Sequence, residues 1–161
     1  VKLNATQGLT GTLPAVSGAN LTNVSAGKIL QCVQVLKETE GNTNSTSWTS
    51  SGLSASITPS SSSNKVLILV HNCAYMNSGT HDYRNNIYRG TTSLGGSGVM
   101  SWIKNGGNSI GANNVLNFLD SPNTTSSTTY NLYHKVSNSS ATGYVAINGW
   151  TSSMTLFEVE A

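Results

Sequence analysis

Residues 53–76 read LSASITPSSSSNKVLILVHNCAYM. The opening LSASI alternates apolar and small polar residues, the period-2 signature of a strand with one buried face. Pro59 then removes a ladder donor, and Ser60 to Ser63 with Asn64 make a polar reversal that ends the strand. Next comes Val66-Leu67-Ile68-Leu69-Val70, a continuous apolar run rich in β-branched residues. Such a run predicts a strand buried on both faces, in a sandwich core or against a neighbouring subunit. It is far too short to cross a membrane as a helix. The rest of the chain reads as further strands packed around this pair.

Upstream, residues 29–36 (ILQCVQVL) are a strong strand, and a brief strand signal surrounds Trp48. Downstream, residues 83–88 (YRNNIY), 114–119, 128–136 (TTYNLYHKV), 144–147 and 154–159 continue the pattern, with turns at residues 77–80, 89–90 and 121–123. Residues 93–114 are the least regular, with glycines at 95, 96, 98, 106, 107 and 111 around an apolar patch of Val99, Met100, Trp102 and Ile103. Apolar residues are nowhere sustained at helical spacing. Eight or nine strands at this spacing predict an all-β, jelly-roll-like antiparallel β-sandwich.

Bulk properties narrow the class. At 161 residues the chain is one domain able to bury a real core. Only 9% of residues are charged, well under the usual quarter, and Ser, Thr, Asn and Gly fill the polar positions. That composition excludes a coiled coil, and the clustering of the apolar residues excludes ordinary disorder. The formal charge of +2 comes from scattered Lys and Arg, so no nucleic-acid groove is implied. Signal-peptide, transmembrane and lipidation patterns are absent, and membrane insertion is not expected. The chain opens at Val1 rather than Met, which reads as the end of something longer. Six N-x-S/T sequons occur, about what this abundance of Asn, Ser and Thr gives by chance. Cys32 and Cys73 both lie in apolar strand-like runs and read as two buried thiols rather than a disulfide.

Catalytic patterns are weak. His81-Asp82 with one of the many serines lacks a nucleophile elbow and reads as a polar turn. A glycosidase needs two carboxylates across a cleft. Glu158 and Glu160 share a face of the last strand, yet read as solvated charges near the end of the sequence. His71, His81 and His134 share no short metal motif, although a three-fold axis would multiply any one of them. His71, inside VHNCAY, suits a hydrogen-bonded strand histidine. No enzyme activity, metal or cofactor is expected.

Sugar binding needs aromatic faces together with planar amides, Arg and acids. Tyr83, Arg84, Asn85, Asn86, Tyr88, Trp102, Asn105 and Trp150 supply that mixture. Aromatic residues on strands also serve core and subunit interfaces. Trp102, in its glycine-rich segment, reads equally well either way, whereas Trp48 and Trp150 read as packing residues.

Residues 1–26 have no clean period but space Leu3, Leu9, Leu13, Val16, Leu21 and Val24 between polar residues and glycines. One chain alone could not bury them; three wound about an axis could. A flexible linker is the equal alternative.

The succession LTGTLPAVSGANLTNV, GKILQCVQV, SITPSSSSNKVLILV, SPNTTSSTTYNLY and MTLFEVEA resembles, in order, the distal part of tail fibres of tailed bacteriophages. The resemblance runs from Leu9 to the C-terminus. It implies an extended fibre-shaft segment at residues 1–26, a β-sandwich head at residues 27–161, and a homotrimer. It further implies a virion component, assembled in the host cytoplasm and joined through its N-terminal side to other tail proteins. The head would adhere to a bacterial surface glycan or other outer-surface receptor. Residues 77–88 and 93–114 match nothing in the family pattern and are where specificity is expected, which makes Tyr83, Arg84, Asn86, Tyr88, Trp102 and Asn105 the receptor-binding candidates. A purely structural virion part and a monomeric carbohydrate-binding module of a secreted bacterial protein are the alternatives.

Overall fold

A computed structural model describes residues 28–77, 80–96, 98–104 and 106–161. The expected shaft at residues 1–26 therefore lies outside the described residues. The strands are β1 (Ile29–Lys37), β2 (Gly41–Thr43), β3 (Thr49–Ile57), β4 (Lys65–Met76), β5 (Asp82–Arg89), β6 (Thr92–Ser93), β7 (Ser101–Lys104), β8 (Ile110–Asp120), β9 (Thr128–Val136), β10 (Gly143–Val145) and β11 (Ser152–Val159). A single 3-10 turn, Ile147–Gly149, precedes the last strand.

The long strands form two antiparallel layers, β1-β11-β4-β8 and β3-β9-β5-β7. Short strands extend both layers: β10 pairs the end of β4 on the same edge as β11 and carries β2, and β6 pairs the far end of β5. Among these eight long strands, only the step from β5 to β7 stays within one layer; every other step crosses to the opposite layer. That alternation is the jelly-roll topology, and the all-β sandwich predicted from the sequence is the fold of this chain.

The serine-rich reversal does something the local pattern did not specify. β3 pairs with β9, and β4 pairs with β11, β10 and β8, so residues 58–64 carry the chain from one sheet to the other rather than closing a hairpin. Within β4, Val66, Ile68 and Val70 are buried, while Leu67 is half-buried and Leu69 exposed. The apolar run thus buries one face within the chain and leaves the other uncovered.

Between the layers, Leu53, Ile57, Ile68, Leu132, Met154 and Leu156 lie in the main core, each fully or almost fully buried. Burying side chains of this size is worth about 1.5–3 kcal/mol apiece. A second cluster of Ala74, Met76, Tyr83, Ile103, Val136 and Ala141 fills the end of the sandwich where β4 finishes and β5 starts.

Two sequence expectations are corrected. Glu158 is not a solvated charge but is buried, accepting hydrogen bonds from Gln31 Nε2, Ser60 N, Ser60 Oγ and Asn64 Nδ2 at 2.6–2.7 Å. Even strand positions of β11 face the core, and Glu158 falls on that face beside the serine-rich turn. The thiols also differ from the reading as a buried pair: Cys73 is buried, Cys32 is exposed on the outer face of β1, and both are free.

Candidate functional site

β5 sorts the sequence candidates by parity. Tyr83 points inward and is fully buried, its hydroxyl hydrogen-bonded to His134 Nδ1 at 2.8 Å. Arg84 and Tyr88 are half-buried and share the outer face with Asn86. Asn86 is covered: its Nδ2 donates to Ser93 Oγ and Gly98 O, and its Oδ1 accepts from Ile87 N. Its amide therefore anchors the glycine-rich loop and is not free for a ligand. Asn105 lies outside the described residues.

Strand pairing then assembles a surface from four strands. In one row, Arg84 of β5 pairs with Lys135 of β9 on one side and Trp102 of β7 on the other. Trp48, just ahead of β3, completes that row, with Lys135 Nζ 4.8 Å from its ring centroid. The preceding turn fixes Trp48: Ser45 O accepts from Val136 N, and Thr49 Oγ1 donates to His134 O. Next to this row, Tyr88 stacks on Tyr133 with centroids 4.2 Å apart and planes at 29°, and Trp48 tilts against Tyr88 at 6.3 Å. Tyr88 lies opposite Asn131, one step diagonal to Tyr133, which is the spacing that lets cross-strand rings meet.

The result is an aromatic platform of Trp48, Tyr88 and Tyr133, with Trp102 at its rim 61% exposed. Asn131 adds an amide, and Lys135 and Arg84 add cations. Asp82 accepts a 2.7 Å ion pair from Arg84 Nη2, which fixes the guanidinium but occupies the carboxylate. Flat rings stack on the C–H faces of saccharides, and a fringe of amide and cationic donors reads hydroxyl and anionic groups. Sequence reasoning found Arg84, Tyr88 and Trp102 of this set and missed Tyr133, Asn131 and Lys135. The alternation of TTYNLYHKV does put the last three on one face, and that was the available signal.

Other chemistry is dispersed. His81 Nε2 lies 3.1 Å from Ser140 Oγ in an exposed pair, while Asp82 is taken by Arg84. Asp120 is buried against Arg89 and Tyr130. Among the described residues, no group of three His, Cys, Asp or Glu is placed to hold a metal ion.

No protein-family model matches the chain. No curated protein matches it either. Among solved structures, the infectious bursal disease virus VP2 subviral particle aligns with a TM-score of 0.46 and 11% identity, covering 92% of this chain and 42% of that one. The chain thus spans less than half the length of that neighbour. At this similarity the topology rests on the strand order itself.

Proposed function

We propose that this chain is the distal head of a bacteriophage tail fibre, a homotrimeric, non-enzymatic adhesin that holds a bacterial surface glycan on the aromatic platform of β3-β9-β5-β7. The observation that carries the reading is the platform: three packed rings and a projecting tryptophan on an open sheet face, bordered by amide and cationic groups. The order of sequence blocks shared with tail fibres supplies the biological setting, a virion component.

The opposite sheet supports the trimer. Its outer surface runs Cys32-Phe157-Leu67-Leu119 across four strands, then Gln34-Thr155-Leu69-Asn117, then Leu36-Ser153-His71-Val115. Val115 is 68% exposed and Leu69, in the middle row, 39%. No Lys, Arg, Asp or Glu interrupts these rows. An uncharged face that mixes exposed apolar residues with Gln34, Thr155 and Asn117 suits neighbouring copies of the same chain. Three weak glycan sites held together would bind through effective concentration.

Light scattering after gel filtration, combined with labelling of a panel of bacterial cells by the fluorescent head, tests the reading. A trimer mass is expected, together with labelling that falls at least tenfold in Tyr133→Ala and Trp102→Ala. A monomer would move the carbohydrate-binding-module reading ahead. A trimer that labels no strain, or labels equally well without its platform rings, would make the chain a structural virion part.

A further inference from the structure

The outer face of the other sheet holds a second aromatic feature that the platform does not explain. Trp150 is 47% exposed, although it sits between two buried residues of the fold, Ile147 and Ser152. Its position is over-determined. Ala146 (φ 54°), Asn148 (φ 53°) and Gly149 (φ 77°) precede it in left-handed backbone. Two of these are not glycine, and each costs on the order of 1 kcal/mol that surrounding contacts must offset. Those contacts centre on Cys73, which takes Ala146 N on its carbonyl (3.2 Å), donates its N–H to Ser152 Oγ (3.0 Å) and donates its thiol to Thr151 O (3.2 Å). The residues on both sides of Trp150 are thus pinned to one point of β4, and the indole is held out toward solvent.

Beneath the indole the wall is cut away. Gly111 of β8 carries no side chain, and a Cβ there would lie 3.4–3.5 Å from the indole. Tyr75 pairs with Gly111 and packs its ring 5.7 Å from Tyr144, extending the aromatic wall. Cys73, Asn113, Trp150 and Thr151 line a cleft of about 330 Å³. The Asn113 Oδ1 accepts the Cys73 thiol at 3.4 Å, and among the described residues its exposed NH2 donates to no protein atom. Among the described residues, no ionised side chain lines the cleft, which suits a neutral ligand.

We infer that this cleft is a second saccharide subsite, one that takes a neutral pyranose ring against Trp150 and reads a hydroxyl through the Asn113 amide. The Cys73–Asn113 pair lies one row beyond His71–Val115, so the cleft borders the face proposed to meet neighbouring copies and stays open at the far end of the head. Lys65 pairs with Val159, which pairs with Ile29, next to where residues 1–27 join the head. Cys73 lies eight residues farther along β4, about 26 Å away at the rise of an extended strand. The Arg84–Trp102 row occupies the same far end on the opposite sheet, because Asn85 bonds Asn72 across the core. The inference shares with the proposed function the premise of saccharide binding, but uses none of the platform residues.

The test uses the whole chain in a Cys32→Ser background, leaving Cys73 as the single thiol. Methyl glycosides of glucose, galactose, mannose and N-acetylglucosamine are added at millimolar concentration, and Cys73 alkylation by a maleimide and tryptophan fluorescence are followed. At least one glycoside should slow alkylation threefold or more and change the fluorescence. Both effects should vanish in Trp150→Ala and in Asn113→Ala, the latter an exposed edge-strand change that leaves the core intact, and persist in Tyr133→Ala. If none of the four protects Cys73, the assignment is overturned. Equal loss in Tyr133→Ala would place saccharide binding on the platform alone. Protection that survives in Tyr133→Ala, in a protein that labels no cells, would keep the subsite while rejecting the adhesin.

Discussion

Tyr83 and His134 meet inside the sandwich, with hydroxyl and Nδ1 2.8 Å apart and the two rings edge to face at 5.7 Å. Burial first, and the charge of Lys37 second, lower the His134 pKa to about 4. Between that value and the ordinary 6.5 the unfolded chain binds the proton and the folded chain does not. The contribution is therefore complete above pH 6.5 and lost as the pH falls toward 4. Chemical denaturation across this window should show stability dropping by up to about 3 kcal/mol, and His134→Asn should flatten the slope there.

Glu158 governs a lower window. Burial pushes its carboxyl up, but the hydrogen bonds from Asn64, Gln31 and Ser60 together outweigh burial and hold the pKa at about 2. Its contribution is present above about 4.5 and lost as the pH falls toward 2. Glu158→Gln replaces an acceptor-only group with one that must turn an NH2 toward donors. Loss of stability by roughly 2–4 kcal/mol is expected at pH 7, with little further acid sensitivity below pH 4.5. Equal acid profiles for parent and variant would contradict this account.

Gly143 faces the Tyr83 ring so closely that a Cβ on it would occupy the ring's own space. Tyr83 is enclosed and cannot retreat without opening the second core cluster. Gly143→Ala should cost about 3 kcal/mol or more, measured as a lowered melting temperature. By contrast Gly106→Ala, with open space around it, should be near neutral.

Val115 is the most exposed large apolar residue of the uncharged sheet face, opposite half-buried His71. Val115→Lys should convert the proposed trimer to monomer by light scattering while leaving the circular dichroism spectrum unchanged. Removing residues 1–26 should weaken the trimer in the same assay. If mass is unaffected by both changes, neither this face nor residues 1–26 holds subunits together.

Much of the fold was legible because strand period needs only local information. TTYNLYHKV and the LSASI segment alternate cleanly, and both are strands with the predicted faces. The pairing of those strands was not legible, since register depends on partners remote in the chain. Residues 53–76 illustrate the limit: both strands were evident, yet they belong to different sheets. Parity alone separates Tyr83 from Arg84 and Tyr88 and could have removed Tyr83 from the candidate set. Asn86 has the outward parity and is covered only because Ser93, Gly95 and Gly98 fold over it, a contact no local pattern encodes. Glu158 was misread for the same reason, as its partners come from β1 and the 58–64 turn. Trp150 was read as a packing residue because nothing in its neighbourhood announces the left-handed turn that displays it.

β11 lies between β1 and β4, and among the described residues β1 has no other strand partner. β1 begins at Ile29 and β11 at Ser152, so β1 is synthesised long before its partner. Until residues 152–159 slot in, Leu36 and Leu69 belong to separate fragments, and the smooth surface they share does not exist. A chain lacking residues 152–159 consequently has no completed outer face on this sheet. In the proposed trimer, the order of strands along the chain would therefore let only subunits with a closed sheet recognise one another.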